Sequence, residues 1–192
     1  MNRQALIEQK DDIIILQSAF LRSKSLESRK ILGQFFTGSV VSDYMASLIA
    51  KPKSKIIRIL DAGAGTGILT ASTALYCLSM GCKTVHAVLY ELDSEAVASL
   101  NQTLNDIQRL FCEQLGTFTY EICCEDFVIA RPDKEKTFQP FDISVINPPY
   151  FKYSAKDSPY AKAVADLYHG DPNIYASFIA VVGGHRRLLG KG

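Results

Sequence analysis

Lys55-Ile56-Ile57-Arg58-Ile59-Leu60-Asp61-Ala62-Gly63-Ala64-Gly65-Thr66-Gly67 decides the fold. Its first half is a short run rich in branched apolar residues, the pattern of a strand buried on both faces. Asp61 ends that run, and the glycines from Gly63 to Gly67 open a helix predicted to reach about Gly81. Glycines at such a turn let the backbone come close to a ligand, while the helix N-terminal NH groups point at it. Strand, glycine turn and helix, in that order, begin a strand–helix–strand unit.

The same alternation continues downstream. A strand from Thr84 to Tyr90 ends at Glu91, and a helix follows from Ser94 to about Leu115. A third strand spans Thr117 to Cys123, with Glu125-Asp126-Phe127 beyond it. The fourth, Phe141 to Ile146, runs into Asn147-Pro148-Pro149-Tyr150, and a last helix starts at Ile174 and reaches about Leu189. Short links between alternating elements predict an α/β fold with a doubly wound, mainly parallel sheet of about four strands. In such sheets ligands bind beyond the carboxyl ends of the strands. Upstream, Ser39 is read as the cap of a helix that presents Val40, Val41, Tyr44, Met45, Leu48 and Ile49 on one face and stops before Pro52. Residues 1–30 read as an N-terminal helical extension and 31–192 as the α/β domain. Within the extension, Leu6-Ile7, Ile13-Ile14 and Phe20-Leu21 repeat every seven residues on an amphipathic helix from Gln4 to Leu21.

Composition narrows the function classes. Apolar residues make up 47% of 192 and charged residues 21%, which excludes a disordered or fibrous chain. No apolar run approaches the roughly 18 residues of a membrane helix, and Met1 to Asp12 lacks a signal-peptide core; a cytoplasmic location is expected. The net charge of +1 gives no global pull toward nucleic acid. From Phe151 onward, however, six basic residues face three acidic ones, and that segment, with Tyr153, Tyr160 and Tyr168, reads as a flexible loop able to touch DNA. The five cysteines form no CxxC pair, and His86, His169 and His185 stand apart from metal or triad partners, so no metal site is indicated.

The motifs at the strand ends carry the chemistry. Glu91, closing the second strand, is placed to accept both ribose hydroxyls of an adenosine. The glycines fall as G-x-G-x-G rather than the dinucleotide G-x-G-x-x-G, with Ile at position 68. Asp61 directly precedes them; it would repel a pyrophosphate and attract an ammonium group. S-adenosylmethionine has an ammonium and no phosphate, and is therefore favoured over NAD. Leu92 is placed to pack on the adenine, Asp126 to accept its amino group, and Phe127 to offer a stacking face.

Asn147-Pro148-Pro149-Tyr150 points to the acceptor. The Asn147 side-chain oxygen and the Pro148 carbonyl, stiffened by two prolines, form a pair of acceptors for one NH2 group. Accepting both hydrogens frees the nitrogen lone pair, and Tyr150 can stack on a planar ring or amide. The expected reaction is direct in-line methyl transfer, driven by positioning and electrostatics.

These residues, in this order, resemble the N6-adenine DNA methyltransferases of bacterial restriction–modification systems, in the gamma-class motif order. The resemblance runs from Gly33-Gln34-Phe35-Phe36-Thr37 through Asp61 to Gly67, Glu91, Asp126-Phe127 and Asn147 to Tyr150, ending on Asn173-Ile174-Tyr175-Ala176-Ser177-Phe178. It implies a Rossmann-like methyltransferase sheet in which Phe36 and Thr37 close the methionine end of the cofactor. Asp61, Gly63 and Gly65 would line it, Glu91 hold the ribose, and Asp126 and Phe127 the adenine. Asn147, Pro148 and Tyr150 would receive an adenine flipped out of double-stranded DNA. It also implies further strands and a target recognition domain beyond Gly192. The fourth strand is then expected to be an exposed edge, covered by the C-terminal segment or by another copy of the chain. Asn-Pro-Pro-Tyr also resembles the motif of enzymes that methylate glutamine amides or RNA adenine, although the Gly-Gln-Phe-Phe-Thr segment before the glycine loop favours DNA, and an inactive cofactor-binding subunit is a third reading.

Overall fold

The computed structural model describes residues 37–50, 52, 54–132, 139–153, 158–167 and 173–183. The N-terminal extension, Phe36, His169, Tyr168, His185 and residues 186–192 lie outside them. The element order is α1 (Ser39–Ser47), β1 (Ile56–Ala62), α2 (Ile68–Ser79), β2 (Thr84–Tyr90), α3 (Ser94–Glu113), β3 (Thr117–Cys123), α4 (Phe127–Ala130), β4 (Ile143–Val145), α5 (Pro159–Val164) and α6 (Ile174–Gly183). The four strands form one parallel sheet in the order β3-β2-β1-β4. Among the described residues, β4 has β1 on one side and no strand on the other.

Side chains alternate across the sheet, and both faces are covered. Ile57, Ile59, Val85, Ala87, Leu89 and Phe118 join α2 and α3 in one core. Leu60, Ala62, Val88 and Tyr90 face the other way and pack with Phe127, Phe141, Val164, Ile174 and Phe178 in a second. Burial on both faces is why β1 reads as a nearly continuous apolar run rather than an alternating one.

Several local expectations are corrected. The cap of α1 is Gly38, not Ser39, with no side-chain cap bond. The face of α1 that packs inward carries Ser42 and Ala46, with Met45 and Ile49 at its border, while Val40, Val41, Tyr44 and Leu48 are exposed. A polar contact sets that choice: the Ser72 hydroxyl of α2 donates to Asp43 Oδ1 at 2.8 Å and lies 2.9 Å from the Ser42 hydroxyl. Strand β4 is shorter than its apolar run because Asp142 replaces a ladder rung; its Oδ2 accepts from Arg58 N at 2.9 Å.

The segment after Tyr150 is tied to the body of the protein wherever it is described. Tyr153 and Ser177 hydroxyls lie 2.6 Å apart, and Lys152 bridges to Asn173 in antiparallel fashion. Tyr160 packs against Phe151 and Tyr153 with ring centroids 5.6 and 5.3 Å away. Buried Arg131 grips the Asp166 carboxylate with both terminal nitrogens, at 2.7 and 3.1 Å, and also donates to the Ala163 carbonyl. Tyr153 and Tyr160 are thus turned inward, contrary to a loop of DNA-contacting rings. The aromatic rings and Asp166 find partners on the neighbouring helices, which offsets the ordering entropy that polarity alone suggested could not be met.

Gly67 is the position where glycine is required. Its φ is +86°, and a Cβ there would sit 2.8 Å from Leu100 Cδ1 and 3.2 Å from Thr103 Cγ2, both on buried α3 residues. Gly67→Ala should therefore lower unfolding free energy by about 1–3 kcal/mol in urea titrations. An unchanged midpoint would show that α2 and α3 pack less closely than described.

Candidate active site

Strand register brings the motifs to one level. Ala62 pairs with Tyr90 and Tyr90 with Cys123, so the residues after β1, β2 and β3 emerge side by side. Asp61 pairs with Val145, which places Asn147 two residues further on at the level of Gly63. The paired strands β1 and β4 mark the point where the sheet reverses its winding order, and in open α/β sheets ligands bind beyond the carboxyl ends of the strands at such a point.

The glycine turn is held by backbone and carboxylate together. The NH groups of Gly63 and Ala64 both donate to the Tyr90 carbonyl at 2.9 Å. Gly65 NH donates to Glu91 Oε2 at 2.6 Å, and Asp93 NH to Glu91 Oε1 at 2.7 Å. Glu91 is buried, and desolvation pushes its carboxyl above the ordinary value, against the pull of the Asp93, Gly65 and Leu92 amides. Gly65 adopts φ +56° to present its NH. Leu92, immediately beyond, is 59% exposed and open to a ligand face.

Asp61 is fully enclosed on the α2 side of the sheet. The Thr70 hydroxyl donates to its Oδ2 at 2.7 Å, while Oδ1 is buried with no hydrogen-bond partner among the described residues. Burial, and then the Glu91 charge, raise Asp61 to about 7 despite the Thr70 bond. Two carboxylates, one of them with an orphaned buried acceptor, flank the glycine turn. That donor set suits a cation or a hydroxyl-bearing ligand and opposes a phosphate.

On the other side, Asp126 caps α4: its Oδ1 accepts from Val128 N at 2.9 Å and Ile129 N at 3.0 Å. Its Oδ2 accepts from the Tyr160 hydroxyl at 2.8 Å. Phe127 does not offer an open stacking face. As the first residue of α4 its ring turns into the second core, edge-on to Tyr90 at 5.1 Å and 5.5 Å from Phe178, leaving 2% exposed.

At the end of β4, Asn147 Nδ2 donates to Thr37 Oγ1 at 3.1 Å, and the Tyr150 hydroxyl reaches Asn147 Oδ1 at 3.4 Å. Thr37 thus meets Asn147 directly, and the donor contact at Nδ2 together with the Tyr150 hydroxyl at Oδ1 assigns the orientation of the amide. Pro148 is buried, and Tyr150 is 58% exposed. Tyr175 on α6 faces Tyr150, with ring centroids 6.4 Å apart and planes within 22°. Both rings are accessible, which marks them off from the core aromatics. Tyr175 lies in the Asn173-to-Phe178 segment of the sequence, yet no local pattern distinguishes it there from a helix surface residue. Among the described residues, no three His, Cys, Asp or Glu side chains gather where a metal ion could be held. No described helix is long and apolar enough to cross a membrane.

A parallel sheet with this winding and with acidic residues at the strand ends defines a Rossmann-like α/β fold of the methyltransferase type. A putative class I S-adenosylmethionine-dependent methyltransferase from Listeria monocytogenes superposes with a TM-score of 0.61 at 22% identity, covering 92% of this chain and 50% of that one. A type I restriction–modification system methyltransferase subunit from Streptococcus thermophilus gives 0.50 at 20% identity, covering 79% and 32%. Residues 10–169 match the N-6 DNA Methylase family, and the chain belongs to it. It is 29% identical over 164 residues to the type II methyltransferase M.BsuBI of Bacillus subtilis, covering 81% of this chain and 32% of that protein. It is 31% identical over 156 residues to M.PstI of Providencia stuartii, covering 80% and 30%. The chain spans about a third of the length of these curated relatives.

The Asp61 shift has a sign that stability measurements can read. A carboxyl at about 7 in the folded state and near 3.8 when unfolded favours folding most below pH 3.8. That contribution is lost as pH rises to 7 and stays lost above it. Asp61→Asn should therefore stabilise the chain at pH 8 relative to pH 4, by on the order of 1–3 kcal/mol in paired urea titrations. An effect equal at both pH values would mean that Asp61 carries no buried-charge penalty.

Proposed function

We propose that this chain carries the cofactor and target-amine sites of an S-adenosylmethionine-dependent methyltransferase acting on the N6 amine of adenine in DNA. The observation that carries the reading is Asn147, oriented by Thr37 at the level of the glycine turn and beside two facing, accessible tyrosine rings. Membership of the N-6 DNA Methylase family supports DNA as the acceptor polymer, and with it a cytoplasmic location.

The residues fit the cofactor. Glu91, already fixed by Gly65 and Asp93, has acceptor capacity left for ribose hydroxyls. Exposed Leu92 packs on one adenine face, and Asp126 takes the amino group, with Phe127 as the buried wall behind it. Gly63 and Gly65 line the methionine end, with Thr37 closing it, and the enclosed Asp61 carboxylate acts on the ammonium through the loop. When bound, S-adenosylmethionine supplies an electrophilic methyl group on a sulfonium that leaves as a neutral thioether.

The chain's own task is to make a poor nucleophile attack. Asn147 Oδ1 and the Pro148 carbonyl accept the two amine hydrogens, drawing the nitrogen toward tetrahedral geometry and freeing its lone pair. Tyr150 and Tyr175, with ring centroids 6.4 Å apart and near-parallel planes, offer the planar base two faces on which to stack. The base must leave the duplex to reach them. Catalysis then rests on orientation and on fixed dipoles rather than on a strong base.

Two substitutions test this reading. With labelled S-adenosylmethionine and unmethylated DNA, the chain should place label in N6-methyladenine. Asn147→Ala should abolish transfer and leave cofactor affinity within about threefold, since it removes a contact made in the transition state. Label found instead in a glutamine amide or in RNA adenine would replace the acceptor assigned here, and cofactor binding without transfer to any of them would favour a binding subunit. Glu91→Ala should weaken cofactor binding by about 1.5–3 kcal/mol, the range for hydrogen bonds to a charged group. Unchanged affinity would remove Glu91 from the site.

A further inference from the structure

We propose that Tyr160 is a positioning residue for the adenine end of the cofactor site: its hydroxyl fixes the Asp126 carboxylate so that one acceptor position of Oδ2 stays aimed at the exocyclic amine of an S-adenosyl ligand. The inference rests on the cofactor reading above and adds to it a residue from a different part of the chain, 34 positions downstream of Asp126.

Among the described residues, three donors reach the Asp126 carboxylate: two backbone amides and one hydroxyl. A carboxylate offers about four acceptor sites. Val128 N and Ile129 N occupy Oδ1, and the Tyr160 hydroxyl occupies one side of Oδ2. Without Tyr160 the cap bonds alone would fix Oδ1 and leave Oδ2 to solvent. With it, the carboxylate plane is held at both oxygens, and the remaining site has a defined direction. Burial and the Asp126 charge push the phenol up to about 12, so the hydroxyl remains a donor across the working pH range.

Tyr160 is itself held from outside the site. Its ring packs on Phe151 and Tyr153, and α5, which carries it, is latched by the Arg131 fork on Asp166. Such an anchor costs little entropy when the hydroxyl makes its bond, because the ring is already placed. The segment between the acceptor motif and α6 therefore serves the cofactor side as well.

The test compares two ligands on the whole chain: S-adenosylhomocysteine and its analogue lacking the 6-amino group. The wild-type chain should prefer the amine-bearing ligand by about tenfold or more, since the bond is to a charged acceptor. Tyr160→Phe keeps the ring and its packing, and should reduce that preference to about threefold or less. A role limited to packing would weaken both ligands alike and leave the ratio unchanged, which would overturn the proposal. Asp126→Asn attacks the same acceptor from the other side and should also compress the ratio; full discrimination in that variant would overturn the proposal even if the phenylalanine variant failed to fold. Failure of the wild-type chain to bind either ligand would instead overturn the cofactor reading itself, and this inference with it.

Discussion

The Glu91 carboxylate is the tie on which the site depends. One side chain, emerging at the end of β2, accepts from the glycine turn that follows β1 and from the amide that starts the next loop. Parallel strands in even register make this possible, because Gly65 and Glu91 can meet only if both strands end level. Burial of the carboxylate is unfavourable in isolation and pushes its pKa up, and the Gly65 and Asp93 amides that it accepts from offset part of that cost. The turn is therefore shaped before any ligand arrives, which lowers the ordering cost of binding.

A second constraint opposes the first. Asp61 lies close enough to Glu91 to feel its charge, and its Oδ1 has no partner among the described residues. A fold selected for stability alone would not place two buried carboxylates here. A fold that must attract a cation beside an adenosine does so at a cost in stability. Asn147, Tyr150 and Tyr175 gather beyond the end of β4, neutral where Asp61 and Glu91 are acidic. In the proposed function the acidic side would face the cofactor and the aromatic side the base.

The sheet was legible because its two central strands, β1 and β2, are buried on both faces and the strands end in punctuation: glycines, an acid, or prolines. Strands β2 and β3 match their apolar runs residue for residue, and the parallel α/β class follows from the alternation. The inward face of α1 was not legible, since a Ser42–Asp43–Ser72 contact between helices overrode an apolar stripe. Phe127 failed as a stacking face for a related reason: a residue at a strand end is positioned by sequence, but its direction is set by the helix it starts. Tyr160 and Tyr175 gain their places from tertiary packing alone. The helices that begin after Asp126 and Ser158 are four and six residues long, too short to leave a period to read.

The most direct test of the account is a calorimetric titration of the chain with S-adenosylmethionine, with NAD titrated in parallel. Saturable one-to-one binding of S-adenosylmethionine with none of NAD is the predicted result, since paired carboxylates at the glycine turn accept a cation and reject a pyrophosphate. Binding of NAD, or of neither ligand, would contradict the assignment of this turn as an S-adenosylmethionine site.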